Sequence, residues 1–155
     1  MLGAAALTAF AAPPGLAERL EGKLVRLRGG RLTPEPAPSA DRVAVYFGAS
    51  WCGPCRAFLP ELRAAYPRLQ ARGYEVVFFS DDAGCAAVRD YMVQMRMTWP
   101  AIACEARSQV PWLEAERGLA LPGLLTFDRQ ARRLSTSWTS GGHSRPRAEL
   151  ARLLG

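Results

Sequence analysis

Ser50-Trp51-Cys52-Gly53-Pro54-Cys55-Arg56 lies at the joint between two patterns. Upstream, Val43 to Phe47 is an uncharged run dominated by β-branched and aromatic residues, the composition of a strand buried on both faces. Downstream, Phe58, Leu62, Tyr66 and Leu69 recur at helical spacing. Cys52 is therefore predicted at the start of a helix and Cys55 one turn inside it, with both thiols on one face. Unpaired backbone N–H groups and the positive end of the helix dipole favour a thiolate at Cys52, and thiolate is the nucleophilic form of cysteine. Residues three apart in a helix have Cβ atoms about 5 to 6 Å apart, so a small adjustment closes a disulfide. Gly53 and Pro54 suit the first turn, where the missing proline N–H would have had no partner anyway.

The stretch Tyr46-Phe47-Gly48-Ala49-Ser50-Trp51-Cys52-Gly53-Pro54-Cys55-Arg56 resembles the active-site segment of the thioredoxin superfamily. Phe58-Leu59-Pro60-Glu61-Leu62 and Tyr74-Glu75-Val76-Val77-Phe78-Phe79-Ser80 resemble its tryparedoxin and nucleoredoxin branch in particular, although that branch usually carries proline where Gly53 stands. Leu121-Pro122-Gly123-Leu124-Leu125-Thr126-Phe127 resembles the cis-proline segment of the family. The likeness covers roughly residues 23 to 138 and implies a thioredoxin-like α/β fold, a central mixed sheet flanked by helices, with an N-terminal β-hairpin added.

Length and composition agree with one domain. The chain has 155 residues, 49% hydrophobic and 22% charged, ordinary for a folded chain with one substantial core. The formal charge of +6 is spread from Arg19 to Arg152 without a dense run, and no recognition motif or basic, aromatic-interleaved stripe marks a nucleic-acid partner. Four cysteines do not make a disulfide-dense scaffold. No second Cys-x-x-Cys completes a four-cysteine zinc site, so neither metal nor cofactor is expected. Cys85 and Cys104 are isolated singles, read either as buried small hydrophobes or as a regulatory second pair. His143, the one histidine, falls in a glycine loop and is read as exposed.

Along the chain, residues 1–15 read as a signal-peptide remnant or disordered tail and residues 16–155 as the thioredoxin-like domain. Met1 to Ala12 is almost wholly apolar or small, and Ala9-Phe10-Ala11 has the small-x-small form of a signal-peptidase site. An exported, periplasmic location is the favoured expectation and a cytoplasmic one the alternative. The run is too short to span a membrane. Lys23 to Leu27 and Arg31 to Thr33 flank Gly29-Gly30 as a hairpin, and Pro34, Pro36 and Pro38 read as a stiff connection. Pro60 and Pro67 are expected to bend the active-site helix. Val76 to Phe79 reads as a second buried strand, Ala83 to Met97 as a helix, Thr98 to Cys104 as extended and Ser108 to Gly118 as a short helix. A hairpin over Leu124–Phe127 and Arg133–Trp138 precedes a closing helix from Arg147 to Leu154.

The resemblance implies thiol–disulfide exchange on a disulfide-containing protein substrate, with Cys52 as nucleophile and Cys55 as resolving thiol. Trp51, Gly53, Pro54, Leu121 and Pro122 are the expected substrate-binding residues, Pro122 in the cis form. Gly-Pro between the cysteines implies a reducing poise near thioredoxin's about −270 mV. An electron donor, either a reductase or a low-molecular-weight thiol, must reset the pair, and the protein is expected to act as a monomer. Parallel strands place catalytic groups at their carboxyl ends, which brings Asp81 and Asp82 toward Cys52 as candidates for proton transfer. Thioredoxin itself has a buried aspartate six residues before the first cysteine, where this chain has Tyr46. The unperturbed tyrosine pKa of about 10 makes Tyr46 packing rather than base. Two other roles fit the same residues less well: a non-catalytic interaction module locked by the cysteines, and a copper metallochaperone, which resembles Cys-x-x-x-Cys rather than this spacing.

Overall fold

Two uncharged runs become the centre of a sheet. In the computed structural model, which describes residues 11–155, β3 (Arg42–Gly48) and β4 (Tyr74–Ser80) pair in parallel from Arg42 opposite Tyr74 to Gly48 opposite Ser80. Apolar clusters cover both faces of this pair, so Val43–Phe47 and Val76–Phe79 are buried without alternation. A parallel pair needs a crossover, which is supplied by α2 (Gly53–Ala71). Its helical apolar positions Phe58, Leu62, Tyr66 and Leu69 pack with Tyr46 and Phe78 on one face of the sheet.

Seven strands form one mixed sheet in the order β2-β1-β5-β4-β3-β6-β7. The edge hairpin is β1 (Leu24–Arg28) and β2 (Arg31–Glu35). Gly29 and Gly30 both have positive φ, the conformation its tight turn requires and the reason glycine stands there. Next comes the two-residue β5 (Ala101–Ile102), antiparallel to β1 and parallel to β4. On the other side β6 (Gly123–Asp128) runs antiparallel to β3, and β7 (Arg133–Thr136) antiparallel to β6. Residues of α3 (Cys85–Gln94) and α5 (Pro146–Leu154) join α2 in its cluster. The opposite face is covered by Leu16 and Leu20 of α1 (Leu16–Leu20) and by Leu113 of α4 (Pro111–Glu116).

Several expectations shift. Pro34 lies inside β2, which tolerates it because an edge strand leaves one row of backbone groups free of the ladder. The extended stretch from Thr98 shrinks to β5, and Cys104 instead opens a 3₁₀ segment, Cys104–Gln109. The helix expected over 108–118 divides there, because Pro111 starts a new helix at the position where it loses no hydrogen bond. The helix expected from Ala83 begins at Cys85, since Asp82 and Ser80 hold the preceding residues in a side-chain-bonded turn. Beyond its end Arg96 takes φ 52°, outside helical space. Pro60 and Pro67 sit within α2, which runs unbroken from Gly53 to Ala71. The signal-peptide reading of Met1–Ala12 falls almost entirely outside the described residues, and among those residues no helix is long and apolar enough to cross a membrane.

Candidate active site

Cys52 caps the N-terminus of α2 and its sulfur accepts a hydrogen bond from the Cys55 backbone N–H at 3.2 Å. A capping side chain normally offers oxygen to that donor; here sulfur does so, and the same N–H stabilises a thiolate once the pair is reduced. Cys52 and Cys55 form a disulfide with Cα atoms 5.2 Å apart. Their exposures differ: Cys52 retains 6% of its surface and Cys55 none. Of the two, only Cys52 keeps any surface. Trp51 is 68% exposed beside it, a free aromatic surface. Gly53 and Pro54 are exposed.

The two aspartates separate. Asp81 forms an ion pair through both carboxylate oxygens with Arg117. Asp82, 2% exposed, turns inward. It accepts from the Ser50 backbone N–H at 3.0 Å, from the Ser50 hydroxyl at 2.5 Å and from the Ser80 hydroxyl at 2.8 Å. Asp82 is the one carboxylate among the described residues hydrogen-bonded to the segment that carries the cysteines, with Ser50 two positions before Cys52. Arg56 closes the segment from the other side, donating to the Ser50 carbonyl at 2.7 Å.

Leu121 packs against Ala49, Cys52 and Cys55, and the Leu121–Pro122 peptide bond is cis. The loop bearing them is held by residues that sequence reasoning passed over. The Trp138 indole N–H donates to the Ala120 carbonyl at 2.7 Å, and its ring meets Phe47 edge-on at 5.2 Å between centroids. A Cβ on Gly118 or Gly123 would fall inside that indole, so both glycines are required by close approach rather than by torsion. The Ser144 hydroxyl donates to the Pro122 carbonyl at 2.6 Å. Arg117 ties the start of the loop to Asp81. An isolated tryptophan, serine or arginine has no local pattern to mark it, because its partner is remote in the chain.

Tyr46 is fully buried and its hydroxyl has no hydrogen-bond partner. Burial first, and then the neighbouring Tyr91 hydroxyl, push its pKa above the tyrosine range. The two hydroxyls influence one another without meeting in hydrogen-bond geometry. His143 is exposed in its loop, and among the described residues no cluster of three His, Cys, Asp or Glu side chains is placed to hold a metal ion. Cys85 and Cys104 are joined in a second disulfide. The reading of both as buried hydrophobes gives way, since Cys85 is exposed and Cys104 only half-buried. A cavity of about 380 Å³ around Leu16, Pro38 and Arg129 includes none of these residues.

A helix-capping Cys-Gly-Pro-Cys disulfide packed against a cis-proline loop beside a mixed sheet defines a thioredoxin-type site. The Thioredoxin-like family model matches residues 41–117. The chain is 38% identical over 88 residues to tryparedoxin of Trypanosoma brucei brucei, covering 56% of this chain and 60% of that one. It is 35% identical over 91 residues to probable nucleoredoxin 1 of Arabidopsis thaliana, covering 56% of this chain and 15% of that one. The chain thus spans less than two thirds of either relative. Among solved structures, a tryparedoxin from Trypanosoma brucei superposes with a TM-score of 0.60 at 30% identity, covering 78% of this chain and 85% of that one. A tryparedoxin II complexed with glutathionylspermidine gives 0.63 at 27%, covering 79% and 86%. The chain belongs to the thioredoxin-like family, and its named relatives are tryparedoxins and nucleoredoxins.

Proposed function

We propose that this chain is a thiol–disulfide oxidoreductase that reduces disulfides in protein substrates. The observation that carries the reading is the asymmetry of the pair: Cys52 keeps a little surface and its sulfur accepts a backbone N–H at a helix start, while Cys55 keeps none. The reduced Cys52 thiolate attacks one substrate sulfur; the substrate S–S bond breaks and its other sulfur leaves as a thiolate. The Cys55 thiol loses its proton and attacks the Cys52 sulfur. That restores the Cys52–Cys55 bond and releases the second substrate sulfur. Two electrons pass to the substrate and two protons end on its thiols.

The exposed Trp51 and the Leu121–Pro122 segment flank Cys52 and suit an extended protein chain better than a small molecule in a pocket. Asp82 fixes the register of the Cys52 segment and is the proposed acceptor for the Cys55 proton; Asp81, occupied by Arg117, anchors the loop instead. Two further thiols must supply the electrons that reset the pair, and a low-molecular-weight thiol is the donor class we favour. The tryparedoxin II solved with glutathionylspermidine supports this choice by similarity.

The test is reduction of a disulfide-linked two-chain substrate followed by turbidity with a dithiol donor, together with cysteine variants on a non-reducing gel. Cys52→Ser is expected to abolish reduction. Cys55→Ser is expected to retain the attack and accumulate a covalent mixed disulfide. Equal trapping by both variants refutes the assignment.

A further inference from the structure

We infer that Cys85–Cys104 is a second redox site, opened and closed reversibly by small thiols in the folded protein. The inference does not rest on the reactivity of Cys52 and Cys55. Three observations carry it. The bridge lies at the surface, with Cys85 exposed and Cys104 half-buried, whereas a disulfide that only locks a core is closed to attack. Cys85 is the first residue of α3, a ten-residue helix whose cap, Gly84, brings no side-chain acceptor and whose first turn holds no acidic residue. The N–H groups of that turn are free to hold a Cys85 thiolate, which makes it a good leaving group and a stable reduced state. Finally, the bridge joins two segments that also meet without it: Arg107, three residues after Cys104, donates to the Asp82 carbonyl at 2.8 Å and lies over the Phe79 ring. Opening the bridge therefore leaves its two ends near one another, ready to close again.

The exchange balances with a monothiol such as glutathione. Its thiolate attacks the sulfur of the exposed residue Cys85, the Cys85–Cys104 bond breaks, and Cys104 leaves as a thiolate that takes a proton from water. A second glutathione thiolate attacks the glutathione sulfur bound to Cys85. Cys85 leaves as the thiolate held by the first turn of α3, and one oxidised glutathione departs with the two protein thiols left reduced. The reverse sequence closes the bridge.

The experiment uses the full chain with Cys52→Ser and Cys55→Ser, so that only this pair reports. The protein is equilibrated in native buffer across a series of reduced and oxidised glutathione ratios, alkylated with iodoacetamide and weighed. Two adducts per chain are expected at the reducing end and none at the oxidising end, with one midpoint reached from both directions and the far-ultraviolet circular dichroism retained throughout. Absence of adducts until denaturant is added overturns the inference and makes the bridge a static clamp. Two adducts in protein held at the oxidising end also overturn it, because the pair is then not bridged in solution. Where the double variant lacks the wild-type circular dichroism, alkylation of wild-type protein followed by mapping of the Cys85 and Cys104 peptides decides between the same outcomes.

Discussion

Replacing Asp82 by asparagine separates the carboxylate from the space it fills. In the native site each carboxylate oxygen takes two donors: one the Ser50 N–H and hydroxyl, the other the Ser50 N–H and the Ser80 hydroxyl. Asparagine retains one acceptor oxygen and presents an NH₂ group to the other side. The serine hydroxyls can rotate to accept from it, whereas the Ser50 N–H can only donate and loses half of its bifurcated contact. Hydrogen bonds to a charged group contribute about 1.5 to 3 kcal/mol each, and a buried unpaired donor costs about 1 to 3 kcal/mol. The net loss expected for Asp82→Asn is therefore about 2 to 3 kcal/mol. At roughly 2 to 4 °C per kcal/mol for a chain of this size, the thermal midpoint falls by roughly 5 to 10 °C.

The same substitution acts on chemistry, because Ser50 is two residues from Cys52 and the lost negative charge is the proposed destination of the Cys55 proton. A roughly tenfold slower resolving step, about 1.4 kcal/mol of barrier, is expected. Quenched-flow separation of mixed-disulfide formation from its resolution measures this directly. Asp81→Asn serves as the control, since Asp81 pairs with Arg117 and has no bond to Ser50. A stability loss below about 0.5 kcal/mol, together with an unchanged resolving rate, refutes both roles of Asp82.

Tyr46→Phe removes a buried hydroxyl that has no partner, so stability is expected to hold or rise by about 1 kcal/mol in a denaturant titration and the pH dependence of reduction to stay the same; a tenfold activity loss with stability retained contradicts this. Gly123→Ala places a methyl group inside the Trp138 indole and is expected to cost about 1 to 3 kcal/mol, visible as a lower melting temperature and slower substrate reduction. The Glu149 carboxyl is subject first to burial, which would raise its pKa, but Arg152 and the Ser135 hydroxyl outweigh it and hold the group below its ordinary value of 4.5. Its stabilisation is therefore complete above the unfolded value and lost as pH falls through the lower folded one. Glu149→Gln is expected to be less stable than wild type at neutral pH, with the gap closing below about pH 4.5 in thermal melts taken from pH 7 to pH 3.

What was legible in the sequence is what short-range pattern controls. The strand before Cys52, the helix after it and the hairpin at Gly29-Gly30 each show themselves within a dozen residues, as uncharged runs, helical spacing or turn glycines, whereas the cis-proline segment was legible only through its family resemblance. Those pieces limit the topology to a parallel pair joined by a helix, and the family resemblance supplied the rest of the fold. Features decided by long-range contact stayed hidden. Trp138 stands 15 positions after the Gly123 it covers, and Ser50 is 32 before the Asp82 that holds it. In each case both residues were visible, and the missing information was which remote side chain the sheet order would bring opposite. The two aspartates show the cost: adjacent in sequence and indistinguishable there, they point to opposite neighbours, one to a loop arginine and the other to the active-site segment.

Tyr46 and Asp82 together explain how the site accommodates its departure from the thioredoxin pattern. A β3 position that faces the α2 side of the sheet is filled here by an aromatic ring stacked on Phe78 at 5.4 Å and tilted against Phe58 at 6.1 Å. A carboxylate at that place would be buried in a cluster with little to pair it, at a cost of several kcal/mol. Asp82 avoids that cost. It follows the end of β4, where two serine hydroxyls and a backbone N–H converge on it, and the strand that carries it lies directly beside β3. Moving the charge from the middle of a buried strand to the end of its neighbour lets the core stay apolar while a carboxylate remains attached to the segment that presents Cys52. Restoring an aspartate at position 46 should accordingly fail as a rescue of Asp82→Asn. The added charge would lie among Phe58, Phe78 and Tyr91 with none of the donors that Asp82 has, and the double variant is expected to melt below either single one.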